Sequence, residues 1–170
     1  GLIASDTTNT VAVVAGDLVT FSITPAGTPA SQSAMQGGVV FDATTSGETP
    51  IFSLGTGAST TGTDYTTPGQ IAVFGATENL QTVVFPAAGV LSNLSIDLAT
   101  APGTGTSRAF TIMKNGVATS QTCTVSDTAT TCTDTTDVTV AAGDTLSLRN
   151  VPTGTPAATS VRFSNTFVPT

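Results

Sequence analysis

Four carboxylates, Glu48, Glu78, Asp64 and Asp97, are the chain's candidates for the paired acid–base chemistry that cleaves glycosidic bonds. Nothing in their spacing places two of them together. Histidine is absent, which removes the usual general base, most catalytic triads and most zinc sites. No Gly-x-Ser-x-Gly motif offers a serine nucleophile. With no tryptophan and one tyrosine, the chain also lacks the stacking platform of sugar-cleaving clefts. The expectation is a non-enzymatic protein with no catalytic residue, no cofactor and no metal.

Three smaller constellations remain. Asp17 and Asp144 each follow a glycine, Gly16 and Gly143, and carboxylates at such points bond the backbone of their own turn. The alternative is calcium, which needs several oxygens at once, and no Asp-x-Asp-x-Asp-Gly loop occurs. Asp64 and Tyr65 lie in a hydroxyl-rich stretch, Thr56–Thr67, that could hydrogen-bond a glycan; the alternative is a mobile loop tip with no ligand. Asn93-Leu94-Ser95 matches the N-glycosylation pattern, with Asn and Ser expected to face outward.

Cys123 and Cys132 are the only cysteines. With Asp127-Thr128 at the centre of a two-residue turn, Ser126 faces Ala129 and Cys123 faces Cys132 across a hairpin. The pair is within bonding reach there. A disulfide closing so short a loop would stabilise by roughly 2–3 kcal/mol; the alternative is two buried free thiols. Spacing excludes a Cys-x-x-Cys redox motif.

Positioning these residues falls to strands. The chain has 170 residues, enough for one ordinary domain, and only 9% of them are charged. Glu occurs twice and Lys once, so the residues that fill exposed helix faces are scarce, while Thr and Val suit a pleated surface. Val19, Phe21 and Ile23 alternate with Thr20 and Ser22, Leu94, Ile96 and Leu98 with Ser95 and Asp97, Phe110 and Ile112 with Thr111, and Val161 and Phe163 with Arg162. Asn115-Gly116 is a favoured hairpin dipeptide, joining a strand Ala109–Lys114 to a strand Val117–Val125. Gly55–Gly69 reads as a long irregular loop.

The most specific feature is a duplication. Ten of the twenty positions from Val11 to Ala30 are identical to Val138–Ala157. Val-x-Val-x-Ala-Gly-Asp and Pro-x-Gly-Thr-Pro-Ala recur at one offset, and Asp6-Thr7-Thr8-Asn9 mirrors Asp134-Thr135-Thr136-Asp137 with a one-residue slip. The unit is a strand, an Ala-Gly-Asp turn and a returning strand. The chain is read as one β-sandwich domain over 1–170, with a part-module at 1–45, a loop-rich connection at 46–82 and a fuller module at 83–170. The N-terminal strands either pack within their own chain or complete a sheet in a neighbouring subunit. The chain opens at Gly1 without an initiator Met, which reads as a removed leader or an excised piece.

Charge narrows the partners. A net charge of −7, with Arg108, Lys114, Arg149 and Arg162 the only cations, argues against nucleic acid. The longest apolar runs, such as Val11–Ala15, are far below the ~20 residues of a membrane-spanning helix.

Pro86–Leu94, Ala101-Pro102-Gly103, Phe110–Gly116 and Val138–Pro156 together resemble β-sandwich modules of uncharacterised phage structural and fibre proteins. Ala142–Asn150 resembles a strand of bacterial C1q/TNF-like jelly rolls. These resemblances imply a surface-exposed, non-enzymatic and often trimeric module, and neither family carries a catalytic motif to transfer.

The expectation is therefore an all-β, antiparallel β-sandwich of jelly-roll type with a duplicated strand-turn-strand element. Its expected function is structural, as a virion fibre or capsid-decorating subunit acting through self-assembly at a virion surface or in the extracellular space. Its partners would be copies of itself, in a trimer or filament, and a capsid or fibre protein. The alternatives are an extracellular filament subunit linked by strand donation and a glycan-binding module.

Overall fold

Period-two alternation of apolar and polar residues needs two faces, one buried and one wet, and the chain supplies both with paired sheets. The computed structural model describes residues 6–14, 17, 19–20, 22–28 and 39–170. The chain divides into two units, Gly1–Val39 and Val40–Thr170.

The second unit holds eleven strands and one 3-10 turn, Glu78–Leu80, with no α-helix among the described residues. The strands are β1 (Thr49–Thr56), β2 (Asp64–Thr66), β3 (Ile71–Val73), β4 (Val83–Val84), β5 (Gly89–Leu98), β6 (Gly103–Lys114), β7 (Val117–Asp127), β8 (Thr131–Asp134), β9 (Val138–Val140), β10 (Thr145–Thr153) and β11 (Val161–Pro169). One sheet runs β3-β1-β11-β5-β8, with β9 also on β5. The other runs β2-β10-β6-β7, with β4 also on β10. Every pairing is antiparallel except β1 with β3. The fold is an all-β sandwich.

Side chains from both sheets meet in one core, centred on Leu94, Ile96, Phe110, Ile112, Leu148 and Val161. The alternations at Leu94–Leu98, Phe110–Ile112 and Val161–Phe163 all point inward as read from the sequence. Asn115 and Gly116 both take positive φ, 52° and 77°, and join β6 to β7 in the tight hairpin that the dipeptide predicts.

Two local expectations change. The stretch 46–82, read as a loop-rich connection, contributes β1, β2 and β3. Its Gly55–Gly69 part contains β2 and buries Ala58, Asp64, Thr66 and Thr67, because polar groups from the second sheet hold it down. The strand expected over Val19–Ile23 is not formed at the described positions: Val19, Thr20, Ser22 and Ile23 carry no strand, and Val19 and Ile23 are exposed. Phe21 lies outside the described residues. Apolar alternation marks a strand only when a partner strand exists to complete its hydrogen bonds.

The duplication is nonetheless visible in the backbone. Asp17 N–H donates to Val14 O at 3.1 Å while Val14 N–H donates to Asp17 Oδ2 at 2.9 Å. Asp144 N–H donates to Ala141 O at 3.1 Å and Ala141 N–H to Asp144 Oδ2 at 2.8 Å. Gly27 and Gly154, at the same offset, have φ of 70° and 72°. Gly16 lies outside the described residues, and Gly143 takes φ 92°, as a tight turn requires. The turn is built twice; among the described residues its flanking strands are built once.

Candidate functional site

The densest polar chemistry in the sandwich is internal. Arg108 on β6 lies in phase with Phe110 and Ile112 and is fully buried. Its Nη1 donates to Ser59 O at 2.7 Å and to Asn150 Oδ1 at 3.3 Å, and its Nη2 donates to Ala157 O at 2.9 Å. Asn150 Nδ2 then donates to Asp64 Oδ1 at 2.7 Å, and Ser59 N–H donates to Asp64 Oδ2 at 2.6 Å. Cation and carboxylate are thus joined through Ser59 and Asn150 in a closed network that ties the 57–63 loop and β2 onto β10 and β6. Burial raises the Asp64 pKa above the ordinary carboxylate value and lowers that of Arg108.

This placement corrects the glycan expectation at Asp64. The carboxylate is buried and turned inward, with both oxygens already accepting hydrogen bonds, so it presents no acceptor to a sugar. Tyr65 is half-buried and sits opposite Arg149, with its N–H and C=O both paired to Gly75. Asp97 and Glu78 have partners of their own. Asp97 pairs with Arg162 at 3.2 Å on the outer face of the first sheet, and Glu78 Oε1 accepts from Ser147 Oγ at 3.0 Å. Glu48 N–H closes a turn on Thr45 O. No group of three or more His, Cys, Asp and Glu gathers among the described residues.

A second buried network crosses the core. Gln121 Nε2 donates to Thr136 O at 2.9 Å, and its Oε1 accepts from Asn165 Nδ2 at 2.9 Å, linking β7 to β11 in the opposite sheet. Beside it, Cys123 and Cys132 form a disulfide with Cα atoms 5.8 Å apart. The expected pairing holds but its setting differs. Ala129 N–H donates to Ser126 O, so the turn is present, yet β7 pairs with β6 and β8 with β5. The bond staples the two sheets at a corner and does not cross a hairpin ladder.

Asp144 and Asp134 have turn roles that make stability depend on pH. The Ala141 N–H and the Asn115 side chain lower the Asp144 pKa, and the Thr136 hydroxyl, with the Thr136 and Thr122 N–H groups, lowers that of Asp134. A depressed carboxylate contributes stability above its unfolded pKa and loses it as pH falls through the folded value. Asp64, raised by burial, works in the opposite sense: its contribution is present below the unfolded value and is lost as pH rises through the folded one. The urea midpoint of Asp134→Asn is therefore expected to lose less than that of the parent as pH falls below about 4. An acid loss as large in the variant as in the parent would contradict the assignment.

The outer surface carries the remaining chemistry. On β1, Phe52 and Leu54 point away from the core, and Ile71 and Val73 on β3 stand beside Leu54 and Thr56 in parallel register. Phe52, Ile71 and Val73 are 64%, 76% and 66% exposed. No strand pairs with the far side of β3 among the described residues. Toward β11 and β5 the same face turns polar, through Arg162, Ser164, Asp97 and Ser95. Asn93 sits at a bulge with φ 54°, exposed, and donates to Thr166 Oγ1 at 3.0 Å. No family model and no curated protein matches the chain.

Proposed function

We propose that the chain is a non-enzymatic structural surface protein that acts by assembling with copies of itself, as a virion fibre or capsid-decorating subunit. The observation that carries this reading is the apolar patch of Phe52, Ile71 and Val73 beside the edge of β3, which is unpaired among the described residues. Natural edge strands are commonly guarded by charge or proline, and Gln70-Ile71-Ala72-Val73-Phe74 has neither. Contiguous exposed apolar residues at a sheet edge mark an interaction surface. The largest polar clusters serve the fold, since Arg108, Asp64, Gln121 and Asn165 are buried against one another and against the backbone.

Two further features support the setting. A disulfide suits an extracellular or virion surface, where thiols stay oxidised. The interleaving of strands, β1-β11-β5-β8 against β2-β10-β6-β7, fits a jelly roll wound from a pair of Greek keys. The fibre or capsid context itself rests on the resemblance of Pro86–Leu94, Phe110–Gly116 and Val138–Pro156 to phage structural modules.

Light scattering and electron microscopy of the full chain test the proposal. Discrete oligomers or filaments with masses in multiples of 16.8 kDa are expected at micromolar concentration. A lone 16.8 kDa species up to about 100 μM, weaker than most specific assemblies, would end it.

A further inference from the structure

The duplicated N-terminal arm raises a question of partner. Val11 and Val13 correspond to Val138 and Val140 of β9, and Val19 corresponds to Leu146 of β10. The β9–β10 residues are buried, Val138 to 6% exposure, whereas Val11 is 85% exposed and Val13 and Val19 are also open to solvent. A segment with the same turn, hydrogen-bonded in the same way, displays the side chains that its counterpart buries.

The arm is a poor substitute for β9–β10 in another copy. Ile23 stands where β10 has Asn150, the residue that accepts from Arg108 and donates to Asp64. Placed there, Ile23 would leave both buried charged groups without that partner, at a cost that opposes any exchange. The arm therefore suits a surface where only backbone pairing and apolar contact are needed. The β3 edge offers both: a strand with no outer neighbour among the described residues, carrying Ile71 and Val73, and without charge from Gln70 to Phe74. By contrast, β8 carries Asp134, and Asp137 immediately precedes β9.

We infer that residues Val11–Val14 of a second copy add as a strand to the free edge of β3, with Val11 and Val13 packing against Ile71 and Val73. This rests on the self-assembly reading and names its contact. The run Val11-Ala12-Val13-Val14 is uncharged, so the contact brings no carboxylate into the joint although each copy carries a net charge of −7. Strand addition supplies main-chain hydrogen bonds, and alternate side chains supply the fit.

The test uses two full-length variants, each altered only at exposed positions so that the sandwich is preserved. One is Val11→Lys with Val13→Lys, which spoils the arm; the other is Ile71→Lys with Val73→Lys, which spoils the edge. Each alone is expected to weaken self-association by at least about a hundredfold, measured by sedimentation velocity. Mixed together they should recover a heterodimer, because one still offers an intact edge and the other an intact arm. Circular dichroism and thermal melting matching the parent establish that each variant is folded. Unchanged association of the arm variant, the result expected of edge-to-edge pairing between two β3 strands, overturns the inference while leaving self-assembly standing, as does a mixture that stays monomeric. A parent chain that is monomeric at every concentration overturns both readings.

Discussion

Replacing Arg108 with alanine is expected to destabilise the sandwich by about 3–5 kcal/mol, the cost of breaking a buried charged network by removing one member. Asn150 Oδ1 and Ala157 O lose the guanidinium as donor, and Ser59 O keeps only the longer contact from Asn150 Nδ2 at 3.4 Å. The Asp64 carboxylate remains buried without the nearby positive charge that favours its ionised form. These effects share partners and do not add, so the single-variant cost exceeds the net value of the network. Tyr65, the only tyrosine in a chain without tryptophan, lies next to Asp64 and reports the loop by intrinsic fluorescence. The urea midpoint of Arg108→Ala read at Tyr65 should fall steeply, and the same change made in an Asp64→Asn background should cost less. A loss below about 1 kcal/mol, ordinary for an exposed site, would mean that Arg108 is not enclosed as described.

Removal of the disulfide has the next largest effect. The paired change Cys123→Ala with Cys132→Ala should lower stability by about 2–3 kcal/mol, because a closed loop of nine residues' separation no longer restricts the unfolded chain. For a domain of this size that corresponds to a melting temperature lower by roughly 5–10 °C. The fold itself should persist, since Gln121 still bridges to Asn165 and Thr136 between the same sheets. Reducing the parent chain should reproduce the variant's melting curve. Identical melting of parent, reduced parent and variant would show that the two sulfurs do not constrain the corner.

Much of the sandwich was legible because alternation and turn chemistry are local signals. Asn115-Gly116 required two positive φ angles and received them, and Leu94–Leu98 pointed inward as its pattern demands. The cysteine pairing was readable from turn length, but the assignment of β7 and β8 to different sheets was not. That outcome depends on what β5 and β6 offer as partners, which no nine-residue window contains. Val19–Ile23 has the same pattern, yet Val19, Thr20, Ser22 and Ile23 pair with no strand among the described residues, and alternation alone does not supply a partner.

The buried polar residues were missed, although a signal existed. Arg108 continues the inward phase of Phe110 and Ile112, Asn150 that of Leu146 and Leu148, Gln121 that of Cys123 and Val125, and Asn165 that of Val161 and Phe163. Polar side chains that extend an apolar phase are obliged to find one another, because burial without a partner is costly. The burial of Asp64 is not legible locally, because nothing near it in the chain discloses Arg108 or Asn150.

Sedimentation equilibrium of the full chain at low and high salt tests the central claim most directly. Like-charged subunits joined by apolar and backbone contacts should associate more tightly as added salt screens their repulsion, since the Debye length shrinks from ~10 Å at 0.1 M to ~3 Å at 1 M. Association that disappears at high salt would mean that ionic contacts hold the copies together, and a chain that stays at 16.8 kDa in both conditions would mean that no such assembly exists.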